Sequence, residues 1–255
     1  MLIDTHCHLH DQEFFTPEQA EAILKEAAER NVREIIVIGT DPDDSAAASK
    51  FASAHDNVYW TYGIHPEHAS DWRQDESDEL LQDYAELLVA IGEIGLDYHY
   101  DGYDRGAQIK LFERMLQLAL DLHLPVSLHI REAFADAWPV LDNFPGTTGV
   151  VHSFTGSKQE LKRALDRGFY IGVNGLATYP TPPFPPLEKM LLETDAPFLT
   201  PVPFRGTINK PGYVSNIATY LAGKLGVAEE ILVEQTTKNA RQLFNLRDPL
   251  SSAGL

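Results

Sequence analysis

The chain has 255 residues, 44% hydrophobic and 23% charged, with 38 acidic against 20 basic side chains and a formal net charge of -18. These proportions exclude a disordered chain. No apolar run approaches the roughly 20 residues that span a bilayer, so no membrane partner is expected. The acidic excess also argues against partners held by counterion release, as nucleic acid usually is, unless a bound divalent cation reverses the local sign. One cysteine, Cys7, rules out an internal disulfide, and the start Met1-Leu2-Ile3-Asp4 lacks the basic and small-residue features of a secretory signal. A reducing, cytoplasmic setting and a monomer are expected. The length suits one α/β barrel better than a sandwich or two ordinary domains.

Eight short, Val/Ile-rich runs punctuate the chain, at 2–5, 34–40, 58–63, 88–94, 125–130, 149–153, 169–173 and 190–193. They alternate little, as strands buried on both faces do. Helical stretches lie between most of them. Thr16-Pro17-Glu18-Gln19 combines an N-cap, a first-position proline and a capping-box glutamine, and predicts a helix to about residue 31. Residues 105–123 place Ile109, Phe112, Leu116, Ala119 and Leu120 at helical spacing. Ser157-Lys158-Gln159-Glu160 opens another helix, ending near Gly168. Strand–helix alternation repeated eight times predicts a closed (β/α)8 TIM barrel over residues 1–246, with an open doubly wound sheet as the rival, and a tail at 247–255. Between the seventh and eighth runs, five prolines in the seven residues 180–186 exclude a regular helix and predict an extended loop.

In such a barrel the C-terminal strand ends build the active site. Those ends carry His6 and His8, then His65, Glu93, His129 with Arg131, His152 and Asp195. Strand alternation puts both imidazoles of His6 and His8 on one face and Cys7 on the other. A single histidine of this kind is more often a hydrogen-bonded core residue. Six metal-competent residues converging on one rim are instead the donor inventory of a two-metal hydrolase site: His6, His8, Glu93, His129, His152 and Asp195. Glu93, central in strand order, is the natural bridge, and Asp195 can take the proton of an attacking water; these two are the expected catalytic residues. Asp4 lies a layer below His6 and is expected to support ligands, Cys7 to pack, and His123 to close a helix. His99 is left open, and His10, His55 and His68 stand outside the pattern.

These motifs resemble the TatD family of metal-dependent deoxyribonucleases, within the amidohydrolase-like barrels. The resemblance rests on Asp4-Thr5-His6-Cys7-His8-Leu9, Gly63-Ile64-His65-Pro66, Gly92-Glu93-Ile94-Gly95-Leu96-Asp97-Tyr98 and His129-Ile130-Arg131-Glu132. It continues in order through Val151-His152-Ser153-Phe154-Thr155-Gly156, Leu192-Glu193-Thr194-Asp195-Ala196-Pro197 and Pro201-Val202-Pro203-Phe204-Arg205-Gly206 to Asn209 and Pro211. It implies hydrolysis of DNA phosphodiester bonds by metal-activated water, from a free 3′ end or on short single strands. It puts the metal ligands on the same six residues and phosphate positioning on His65, Arg131 and Asn209. Glu193 becomes a site residue, Asp97 and Tyr98 line the site, and Arg205 is a further cation. Tyr98, Phe154 and Phe204 either stack on unpaired bases or pack within their loops. Two departures stand out. The proline stretch at 180–186 replaces a longer, helix-bearing segment. Thr207 stands where the family often has a lysine, removing one phosphate-attracting charge.

Two other functions stay open. One is a small-molecule amidohydrolase or phosphoesterase, which the net charge favours. Such enzymes often bridge their metals with a carbamylated lysine, where this chain has Glu93. The other is a non-catalytic metal-binding quality-control adaptor. Four imidazoles suit Zn2+, Mn2+ or Ni2+, whereas the family is described as Mg2+-dependent; two divalent ions are expected, with Mg2+ or Mn2+ for activity and Zn2+ or Ni2+ as bound ions.

Overall fold

A computed structural model describes residues 1–72, 87–179 and 183–247. Among them eight strands form one sheet in chain order: β1 Leu2–Cys7, β2 Val32–Ile38, β3 Val58–Tyr62, β4 Leu88–Asp97, β5 Val126–Arg131, β6 Gly149–Val151, β7 Tyr170–Val173 and β8 Met190–Leu192. Every neighbouring pair is parallel. The barrel closes at its rim, just beyond β8. There the Asp195 N–H donates to the His6 carbonyl at 2.8 Å and the His8 N–H to the Ala196 carbonyl at 2.7 Å. Closure thus pins Asp195 beside the end of β1. The eight expected strands are all present, and β4 runs on past the expected Ile94 to Asp97.

Seven α-helices are described: α1 Pro17–Glu29, α2 Pro42–Ser53, α3 Arg105–Leu122, α4 Phe134–Asp142, α5 Lys158–Asp166, α6 Val214–Leu225 and α7 Glu229–Phe244. Both expected capping boxes form, at Thr16 with Gln19 and at Ser157 with Glu160. α3 ends at His123, whose φ of 57° is left-handed and whose Nδ1 lies 2.9 Å from the Leu120 carbonyl, the structural role expected of it. After β7 the chain makes a 310 turn, Gly175–Thr178, has no regular element over 183–186, with Pro186 extended, and makes a second 310 turn, Leu187–Lys189. Among the described residues no α-helix joins β7 to β8, as the prolines require. The tail from residue 248 lies outside the described residues. No described helix is long and apolar enough to cross a membrane.

The barrel interior and the helix faces bury Trp60, Tyr62, Phe112, Phe169 and a shell of Ile and Leu at below 2% exposure. Polar groups concentrate at the C-terminal rim. One glycine there sets the spacing of two strands. Gly95 pairs with His129 across β4 and β5, and its φ is +147°. A Cβ at Gly95 would overlap the His129 carbonyl oxygen, so only glycine lets β4 approach β5 this closely.

Candidate metal centre

β1 is extended through Cys7, so His6 and His8 leave it on the same side, with ring centroids 5.3 Å apart. Cys7 points the other way and is fully buried. His8 Nδ1 donates to the Ile38 carbonyl at 3.2 Å, which turns Nε2 inward. Glu93, on β4, stands between two halves. Its Oε2 lies 3.4 Å from His6 Nε2 and 4.0 Å from His8 Nε2; its Oε1 lies 2.7 Å from His129 Nδ1 and 3.6 Å from His152 Nε2. Asp195 divides in the same way, with Oδ1 3.7 Å from His6 Nε2 and 3.6 Å from His8 Nε2, and Oδ2 3.9 Å from His152 Nε2. The fold therefore brings all six candidate ligands together. Donor atoms of His6, His8 and Glu93 lie within 4.8 Å of one another, as do those of His6, His152 and Asp195, and those of Glu93, His129 and His152.

Two observations show that these residues fit divalent cations. His6 is 1% exposed, yet neither ring nitrogen makes a hydrogen bond among the described residues. A buried polar group left this way costs roughly 1–3 kcal/mol, whereas a metal ligand needs a bare nitrogen. The charges pull the same way. Burial opposes ionisation of Glu93, but His152, His6 and a hydrogen bond from His129 outweigh it and hold the carboxyl well below its usual range. Burial also opposes charge on His129 and His152. Asp97 and Glu93 nonetheless lift His129 to about 9, and Glu193, Glu93 and Asp195 lift His152 to about 10. A centre this rich in carboxylate gathers positive charge, as protons or as metal.

Metal ligation requires neutral imidazole, so loading at about pH 7 is expected to expel about two protons, from His129 and His152, and apparent affinity should rise with pH up to about 10. Calorimetric titration with Mn2+ or Zn2+ in buffers of different ionisation enthalpy measures this. Loading without proton release would show that both rings are neutral already.

The sequence model described as TatD related DNase matches residues 3–245. The chain belongs to the TatD related DNase family. A Bacillus subtilis (strain 168) protein named uncharacterized metal-dependent hydrolase YabD is 33% identical over 256 residues, covering 96% of this chain and 100% of its own. A Pantoea ananatis (strain LMG 20103) protein named 3'-5' ssDNA/RNA exonuclease TatD is 37% identical over 245 residues, covering 89% of this chain and 93% of its own. The crystal structure of YJJV, a TatD homologue from Escherichia coli K12, matches with a TM-score of 0.88 at 32% identity over 96% of this chain and 98% of that one. This TatD-family chain is a metal-dependent hydrolase on a TIM barrel.

Around the TatD-family centre, a ring of partners holds the candidate ligands. Glu193, 1% exposed, accepts from the Ser153 N–H at 2.7 Å and the Asn174 amide at 3.2 Å, and its Oε1 lies 3.1 Å from His152 Nδ1. It therefore selects which His152 nitrogen faces inward. Asp4 accepts from the Thr194 N–H at 2.8 Å and hydroxyl at 2.6 Å, tying β1 to the residue before Asp195. Burial pushes its carboxyl up to about 8, against those hydrogen bonds. Asp97 Oδ2 lies 3.0 Å from His129 Nε2, and Gln108 grips the Asp97 backbone through both ends of its amide. Asn174, at the end of β7, was not singled out in the sequence. It obeys the same strand-end rule but is no metal-type residue.

His65 and Arg131 stand beside this centre. The His65 ring centroid is 4.5 Å from that of His129, and Arg131 Nη1 is 4.0 Å from Asp97 Oδ2. Burial and the neighbouring His129 lower His65 to about 3, so it is neutral. The other side chains named from the sequence have partners of their own. The Tyr98 hydroxyl donates to Asp136 at 2.8 Å and its ring stacks on Tyr103 at 4.4 Å. Phe154 is 7% exposed and meets Phe134 edge-on, and the half-buried Phe204 stacks on Tyr213 at 4.2 Å. Arg205 is exposed and lies over the Tyr179 ring at 5.0 Å. His99 Nδ1 lies 2.7 Å from Glu132 Oε1.

Asn209 differs most from its expected role in phosphate positioning. It is fully buried, and its Nδ2 donates to the Thr194 carbonyl at 2.8 Å and the Phe198 carbonyl at 2.6 Å. Both amide hydrogens are spent on clamping the Asp195 turn, and none is left for a phosphate. Asn209→Ala is expected to cost about 2–3 kcal/mol and to lower Tm by about 4–12 °C, read by scanning calorimetry. An unchanged Tm with weakened phosphate binding would return Asn209 to the phosphate.

Proposed function

We propose that this chain hydrolyses phosphodiester bonds of single-stranded nucleic acid, working from a free 3′ end. The carrying observation is Glu93, whose two oxygens face separate halves of a six-donor centre. His65 and Arg131 stand beside that centre as the phosphate-facing groups. The Pantoea relative named 3'-5' ssDNA/RNA exonuclease supports both the strand type and the polarity.

His6, His8, Glu93, His129, His152 and Asp195 would hold two divalent ions, which when bound polarise a phosphoryl oxygen and acidify water. The chain's own residues supply the rest. Arg131 offers a planar guanidinium fork, whose geometry suits a phosphate. The His65 Nδ1 accepts from the Glu67 N–H at 3.3 Å, so its proton sits on Nε2, from where it can hydrogen-bond a phosphoryl oxygen without being transferred. Burial opposes charge on Asp195, but His152 and the hydrogen bond from His8 hold its carboxyl below the usual range. It is therefore ionised at neutral pH and can accept the proton of the attacking water. The net charge of -18 disfavours counterion release along long duplex and favours strand ends and short strands.

Digestion of 5′-labelled single- and double-stranded oligonucleotides with Mg2+ or Mn2+ tests the reading. Stepwise shortening from the 3′ end, faster on single strands, is expected. No cleavage with either ion overturns it.

A further inference from the structure

We infer that Phe14 and Phe198 form a base-stacking subsite for the nucleotides at the cleaved end of the strand; this rests on the nuclease reading above. Phe198 follows Asp195 in one tight turn. Its N–H donates to the Asp195 carbonyl at 2.8 Å, and its own carbonyl is held by Asn209. The ring is thereby fixed to a candidate ligand, and it meets His8 edge-on at 6.1 Å between centroids. Phe14 comes from the loop after β1, where its N–H donates to the Asp11 carbonyl at 3.3 Å and its neighbour Phe15 is buried. The two rings touch edge-to-face, 5.4 Å apart at 80°.

Both rings face water: Phe14 is 40% and Phe198 48% exposed. A scattered exposed phenylalanine needs no explanation. Two of them in contact, anchored by buried neighbours and abutting the metal centre, form an apolar patch where substrate must lie. The charge of the chain says what the patch takes. A net charge of -18 weakens phosphate attraction along a strand, which puts more of the affinity on the bases. Stacking on phenylalanine tolerates any base and either sugar. It also selects single strands, because paired bases are already stacked on their neighbours.

The test uses Mn2+-loaded enzyme and two oligothymidylates, one ordinary and one ending in two 5,6-dihydrothymidines, whose saturated rings cannot stack. On the ordinary strand, Phe198→Ala should raise KM about tenfold and Phe14→Ala about threefold, with kcat within about twofold. Phe198→Trp should keep the wild-type KM. On the dihydrothymidine strand the wild type should rise to the KM of Phe198→Ala, and the difference between them should vanish. Equal KM changes on both strands, or none on either, overturn the subsite while leaving the nuclease intact. Failure of the wild type to cleave either strand removes the nuclease reading, and the subsite with it.

Discussion

Replacing Glu93 by glutamine is expected to lower the rate of strand hydrolysis about 10³-fold or more and to reduce bound metal. The size follows from where the carboxylate stands. Its Oε2 faces His6 and His8 and its Oε1 faces His129 and His152, so one amide nitrogen would be aimed at a cluster of imidazoles in place of an anion. The charge that gathers cations at the centre is lost with it, because Glu93 contributes to holding His129 and His152 cationic in the absence of metal. The shape of the side chain is kept, so the barrel should melt near the wild-type temperature. Activity on an end-labelled single strand, measured beside elemental analysis of the purified variant, checks both halves. A variant that keeps full metal content and more than about a tenth of wild-type activity would remove Glu93 from the bridging role.

Gly95→Ala is expected to be the most destabilising single methyl in the rim, costing about 4 kcal/mol or more. Two effects add. The backbone at φ +147° is one that L side chains rarely adopt, and the new Cβ would overlap the His129 carbonyl oxygen. β4 and β5 must then separate where Gly95 and His129 pair, which moves Glu93 and His129 apart as well. For a chain of this size the melting temperature should fall by about 8–16 °C, with hydrolysis falling further than stability alone explains. Circular dichroism melts and metal content at room temperature measure the two effects. A melt within about 2 °C of wild type would show that β4 and β5 are not in such close contact.

Much of this was legible in the chain because it is encoded locally. Short, little-alternated apolar runs marked the eight strands, since each is covered on both faces. Thr16 with Gln19 and Ser157 with Glu160 announced two helix starts, since a capping box needs only four consecutive residues. The candidate ligands were chosen through the topology: a parallel barrel delivers its strand ends to one rim, and five of those ends carry the six metal-type donors. α4 was not legible. Pro139 sits inside it and no side chain caps its start, so local signals argue against a helix that packing of Phe134, Ala137, Trp138 and Leu141 stabilises.

Local pattern alone specified the barrel, two helix starts and which residues stand at the rim, and among the described residues the prolines keep the β7–β8 connection free of an α-helix. What each of those residues touches was set by the three-dimensional fold. Asp4 meets Thr194 across 190 positions of chain, and Asn209 reaches the Thr194 and Phe198 carbonyls rather than the cleft. Which nitrogen of His152 turns inward depends on Glu193, and which oxygen of Glu93 meets which ring depends on the closing of β8 onto β1. Period and composition report which face a side chain leaves by. The direction of a hydrogen bond between distant residues is set only when the barrel closes, because until then its two partners are not neighbours.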